Sequence, residues 1–118
     1  MSTLNKMTVI GYVGSDPENR TTKSDTSVAN FSVATSESWK DGDEWKEETT
    51  WHDVVAWAGW ADWVSDKVKK GTYIRVEGPL KKETYKDKKG VERSSYYIKA
   101  THIQRMGSNS SGGDSEEE

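Results

Sequence analysis

From Met7 to Ile103 the apolar side chains recur mostly at every second position, and this pattern gives way to another only once. Period two is the signature of a strand half-buried in a sheet. Residues 6–14 (KMTVIGYVG) read as a first strand that ends in glycines, with Asp16-Pro17 as the turn after it. Residues 28–35 form a second, with Phe31, Val33 and Thr35 on one parity. Residues 49–58 form a third, which sends 51, 53, 55 and 57 to one face and 50, 52, 54 and 56 to the other. The break follows. Trp60, Trp63, Val64, Lys67 and Val68 fall at i, i+3, i+4, i+7 and i+8, a short amphipathic helix closed by Lys69-Lys70-Gly71. Alternation resumes over residues 73–77, with Pro79 limiting that strand to an edge or a kink and a continuation expected through 81–85. Residues 95–103 make the fifth strand. Two polar hairpin tips stand out, one centred on Asp41-Gly42 and a basic one at residues 86–90.

The order is therefore β-β-β-α-β-β, an all-β chain with one short helix. Five strands with a helix between the third and fourth is the layout of an OB-fold, a partly open five-stranded barrel. Composition has to be reconciled with that. Leu, Ile, Val and Phe number only 17 among 118 residues, a fraction that by itself suggests disorder. The net charge is only −3, however, and six Trp and five Tyr replace the missing aliphatic mass. The length suits one domain. No apolar run approaches a transmembrane span, and residues 1–6 lack an apolar signal region, which points to a cytoplasmic protein. Zero Cys excludes disulfides, thiolate zinc sites and thiol catalysis.

Charge is unevenly placed. The last twelve residues hold four acids and no base, so residues 1–106 carry 17 bases against 16 acids, a body at +1 with a disordered acidic tail over 107–118. Within the body, residues 35–66 hold nine acids and two bases, and the balance reverses over 67–106. A polyanionic partner is expected along that second half.

Catalysis finds little support. His52 and His102 lie fifty residues apart with no second ligand at metal spacing, the acids at 41, 43 and 44 suit a solvated turn, and Gly11-x-x-Gly14 lacks the Lys-Ser/Thr of a phosphate loop. No metal, no cofactor and no enzyme activity are expected. The aromatics carry the stronger signal. All six Trp fall between positions 39 and 63. Trp60 and Trp63 lie on the helix stripe and suit the core, whereas Trp51 and Trp57 share a strand face with Asp53, a residue that prefers water. Trp39 and Trp45 flank a polar tip where no core is available. Lys81, Lys82, Lys86, Lys88, Lys89 and Arg93 surround Tyr85. Cations interleaved with π-faces suit a single nucleic-acid strand.

Several motifs in order resemble bacterial single-stranded DNA-binding proteins. They are Asn5-Lys6; Gly11-x-x-Gly14-x-Asp16-Pro17-Glu18-x-Arg20; residues 28–35 (VANFSVAT); residues 36–41 (SESWKD); Thr50-Trp51-His52-x-Val54-Val55; Lys70-Gly71; Val76-Glu77-Gly78-x-Leu80; and Gln104-Arg105-Met106. The resemblance implies an OB-fold over residues 1–106 that assembles as a homotetramer. It implies a chain that coats single-stranded DNA without strong sequence preference in replication, recombination and repair, nucleoid-associated when bound. It places base stacking on Trp39, Trp51, Trp57 and Tyr85, phosphate contacts on Lys6, Arg20, Lys40, Lys69, Lys70 and Lys81, and His52 at a subunit interface.

The chain departs from that pattern in two ways. Asp53, Gly59, Glu83 and Thr84 stand where family members often carry cations, so fewer phosphate contacts are expected. The tail lacks the apolar Pro-Phe tip through which the family recruits replication and repair proteins. A second reading is therefore a primosome-type or protein-interaction OB module with weak DNA affinity. An oligosaccharide-binding OB-fold is a third, opposed by the lysines around Tyr85.

Overall fold

The computed structural model describes residues 2–107; the acidic tail expected beyond them lies outside the described residues. The strands are β1 (Met7–Val13), β2 (Glu18–Thr21), β3 (Ser27–Asp41), β4 (Glu44–Trp57), β5 (Tyr73–Gly78), β6 (Leu80–Lys86), β7 (Glu92–Lys99) and β8 (His102–Arg105), with helix α1 (Gly59–Lys67) between β4 and β5. They form one sheet in the order β6-β7-β4-β3-β1-β5-β8, with β2 paired to β3. The sheet is not closed, as in the partly open barrel of the OB-fold.

The five expected strands are present as β1, β3, β4, β5 with β6, and β7 with β8. The last two are each broken once. Pro79 separates β5 from β6, because a residue without an N–H cannot continue the ladder. Asn5 bridges the break: its side-chain amide donates to the Leu80 carbonyl and its amide oxygen accepts from the Leu80 N–H, both at 2.9 Å. Residues 99–101 then cross β5, with the Lys99 and Thr101 N–H groups bonded to the Pro79 and Glu77 carbonyls. Strands β3 and β4 run to Asp41 and from Glu44, well past the expected 28–35 and 49–58, and two further features differ from the sequence expectation. Segment 18–21, which the sequence reading assigns to no strand, is the short strand β2, held to β3 by backbone pairing alone since all four residues are exposed. The helix stops at Lys67, and Val68 is already extended (φ −116°, ψ 132°), so Gly71 (φ +92°) serves the turn into β5 rather than the helix end.

The core explains how so few aliphatics suffice. Eleven of the fourteen Val and Ile are buried, among them Val33, Val54, Ile74, Val76 and Ile98. Eight of them come from β1, β3, β4, β5 and β7, Ile103 from β8, Val64 from α1 and Val68 from just after it, and each contributes about 1.5–3 kcal/mol of transfer free energy. Helix α1 caps this layer with Ala61 and Val64. Trp60 and Trp63 pack partly buried against it, edge to face with centroids 5.7 Å apart, and the Trp60 indole N–H bonds the Thr101 carbonyl at 3.1 Å. Lys67, at a stripe position, is exposed, and Ala61 fills the inward place instead.

The β4–α1 junction holds strain. Ala58 sits at φ 54°, ψ −122°, a region that disfavours any Cβ. Its N–H bonds the Ser27 carbonyl and its own carbonyl accepts from Asp62 N–H, so the conformation is fixed from both sides. Ala58→Gly is expected to raise stability by about 1 kcal/mol, since relief of strain exceeds the added chain entropy. Differential scanning calorimetry should then show a melting temperature higher by about 3–6 °C.

Candidate nucleic-acid interface

Strands β3 and β4 stay paired in register for fourteen steps, from Val28↔Trp57 to Asp41↔Glu44. Only the inner half covers the core; from Ser36 through Trp51 every residue is exposed. The outer half is thus a free two-stranded ribbon. Gly42 and Asp43 close it, with positive φ (+67°) at Gly42 only, the pattern of a type II′ turn.

Alternation and register together assemble an aromatic face. On β4 the solvent-facing parity carries Trp51, Asp53, Val55 and Trp57. Strand β7 joins β4 in parallel with Val54 opposite Ile98 and Val55 opposite Lys99, so Tyr97 and Arg93 fall on the same parity as Val55. Strand β6 continues it, pairing Lys81 with Tyr97, Glu83 with Ser95 and Tyr85 with Arg93. Trp51, Trp57, Tyr85 and Lys81 therefore share one sheet face. Trp51 is 59 % exposed, Tyr85 48 % and Trp57 38 %. The Trp51 ring lies over Gly14, where an added Cβ would sit 2.2 Å from its Cζ3. Only a residue without a side chain admits the ring there.

The other expected site residues are dispersed. Trp39 lies opposite Lys46 at the ribbon tip, on the side away from Lys40 and Trp45, which face each other one step on. Arg20 is exposed on β2, and Lys69 and Lys70 are exposed in the turn after α1, where the Lys70 N–H is held by Asp16 Oδ1 at 2.8 Å. Lys6 is 3.8 Å from Glu77, which also pairs with Arg75, so its charge is partly answered within the chain. His52, on the inward parity of β4 and half-buried, meets Thr35 Oγ1 at 2.9 Å. Among the described residues no group of three or more His, Asp or Glu could hold a metal ion.

The aromatic face is not uniformly basic. Asp16, Glu18, Asp53 and Glu83 line a cleft of about 280 Å³ with Ser95, Tyr96 and Tyr97. Neither tyrosine was singled out by the sequence. Tyr97 is on the outward parity of a predicted strand, but the parallel β4–β7 pairing that brings it beside Asp53 left no local signal. Tyr12 and Tyr73, whose rings meet at a 30° tilt with centroids 4.7 Å apart on β1 and β5, were likewise hidden in strand patterns.

Asp87 shapes the basic hairpin that carries Tyr85. Its Oδ1 accepts from the Lys89 and Val91 N–H groups at 2.9 and 3.0 Å, and Oδ2 from Arg93 Nε at 3.0 Å. The Val91 bond, then the Arg93 bond, hold its carboxyl below the usual range. A depressed carboxyl pKa adds stability above the unfolded value and loses it as pH falls through the folded one. The loop is expected to hold above about pH 4 and to loosen progressively below it. Amide exchange at Lys89 and Val91 should show that acid transition, and Asp87→Asn should flatten it.

An unclosed sheet that turns a row of aromatics and cations to solvent is the architecture of oligonucleotide-binding OB-folds. Comparison with known proteins narrows the class. Residues 4–106 match the model of the single-strand binding protein family, and the chain belongs to that family. It is 41 % identical over 109 residues to single-stranded DNA-binding protein 1 of Xylella fastidiosa, covering 91 % of this chain and 80 % of that protein. It is also 41 % identical over 112 residues to single-stranded DNA-binding protein 1 of Chlorobaculum tepidum, covering 93 % and 69 %. A Plasmodium falciparum SSB solved in complex with single-stranded DNA superposes with a TM-score of 0.80 at 27 % identity, over 87 % of this chain and 95 % of that one.

Proposed function

We propose that the chain binds and coats single-stranded DNA, without strong sequence preference and without catalysing a reaction. The observation that carries this is the shared face of Trp51, Trp57 and Tyr85 with Lys81, Arg93 and Lys99. Exposed rings accept any base, each stacked base being worth about 1–3 kcal/mol, while the cations follow the phosphates. Trp39, on the reverse of the ribbon, takes a base where the strand rounds the tip, and Lys6, Arg20, Lys40, Lys69 and Lys70 add phosphate contacts. The DNA-binding unit is residues 1–106, with residues 107–118 an acidic appendage that competes weakly for the same cations. Four copies assemble, with His52 toward the subunit contact, and the protein acts in the cytoplasm on DNA undergoing replication, recombination or repair.

The acidic cleft favours a second reading, a protein-interaction or primosome-type module with weak DNA affinity. A titration separates the two. Oligo-dT added at low salt should quench the tryptophan fluorescence, and salt should reverse it. The logarithm of affinity should fall with log salt by about 0.7 per phosphate contact, with a smaller total than in relatives that carry cations at positions 53 and 83. No quenching at low salt leaves the interaction module.

A further inference from the structure

Trp45 is the most exposed of the tryptophans, at 71 %. We infer that it is a further base-stacking station, which extends the DNA path to the tip of the β3–β4 ribbon; this rests on the single-strand-binding reading above. Three observations carry it. On β4, Trp45 has the same parity as Trp51 and Trp57, so it continues their row along one ribbon face. Lys40 lies directly across from it, a cation beside an aromatic ring.

The third observation is the charge of the two ribbon faces. Beyond the core, the Trp45 side carries Ser36, Ser38, Lys40, Glu47 and Thr49, one base to one acid. The reverse side carries Glu37, Asp41, Glu44, Lys46 and Glu48, and its single base is 3.4 Å from Glu44. A phosphate chain is therefore favoured along the Trp45 side and reaches the more acidic reverse side only at the tip, where Trp39 lies opposite Lys46. At about 3.3 Å per residue, Trp45 stands roughly 20 Å from Trp51 along the strand. It therefore meets different bases and lengthens the tract that one copy covers.

The test compares the full chain with Trp45→Ala and Trp45→Phe on two oligo-dT lengths, about 4 and about 16 nucleotides. The Ala variant should lose about ten-fold in affinity for the longer strand and nothing for the shorter, and Phe should recover most of the loss. Equal affinity of the Ala variant and the wild type at both lengths overturns the inference. So does an equal loss at both lengths, or a change in sedimentation with unchanged affinity, which would make Trp45 a contact between copies. Failure of the wild type to bind either strand overturns the underlying reading as well, and so is told apart from failure of this one alone.

Discussion

Ile98→Ala is expected to destabilise the protein by about 2–5 kcal/mol, seen as a lower urea midpoint with little change in slope. Ile98 is 2 % exposed and stands where three strands meet, paired with Val54 of β4 and with Leu80 of β6. Truncation removes transfer free energy and leaves a cavity at the parallel β4–β7 junction. Domains of this size are stable by about 5–15 kcal/mol, so the loss takes a large part of the total. The hairpin bearing Tyr85 is tied to β4 through this junction. Its amides should lose exchange protection more than those of β1 and β5.

Trp51→Ala should separate binding from folding. The side chain is 59 % exposed, so stability should shift by no more than about 0.5 kcal/mol. Loss of one stacked base should weaken binding of oligo-dT by about 5- to 150-fold, measured by anisotropy at fixed salt. Gly14→Ala should act on the same ring from below. Its methyl group occupies the space of the Trp51 ring edge, so affinity should fall although no ligand-facing side chain is removed. A Trp51→Ala protein that binds normally, or that fails to fold, would refute the stacking role.

What the sequence disclosed depended on whether a local pattern encoded it. The inward residues of β1, β3, β4 and β5 were legible because one face meets a core and the other water, and the helix because its period differs. Strand β2 was not, since Glu18–Thr21 has no apolar residue and is held by backbone pairing. The lengths of β3 and β4 were also hidden: beyond Ser36 both ribbon faces are wet, and alternation has nothing to mark. Trp51 and Trp57 could be paired from their shared parity. That Tyr85 joins them depends on the parallel β4–β7 register between residues far apart in sequence. Trp39 and Trp45 read alike as tip aromatics, and only the cross-strand register shows that they point to opposite sides.

The free ribbon has a consequence for how copies of the chain behave at high concentration. Strand β7 meets β4 only at Val54 and Val55, so the β4 backbone from Glu44 to Asp53 keeps an open edge. Such an edge invites another strand to add to it. Here Glu44, Lys46, Glu47, Glu48 and Asp53 lie along it, and a second copy pairing in the same register would place like charges together. Charges along that edge disfavour such edge-to-edge pairing. Neutralising those glutamates to strengthen DNA binding would expose the chain to that hazard.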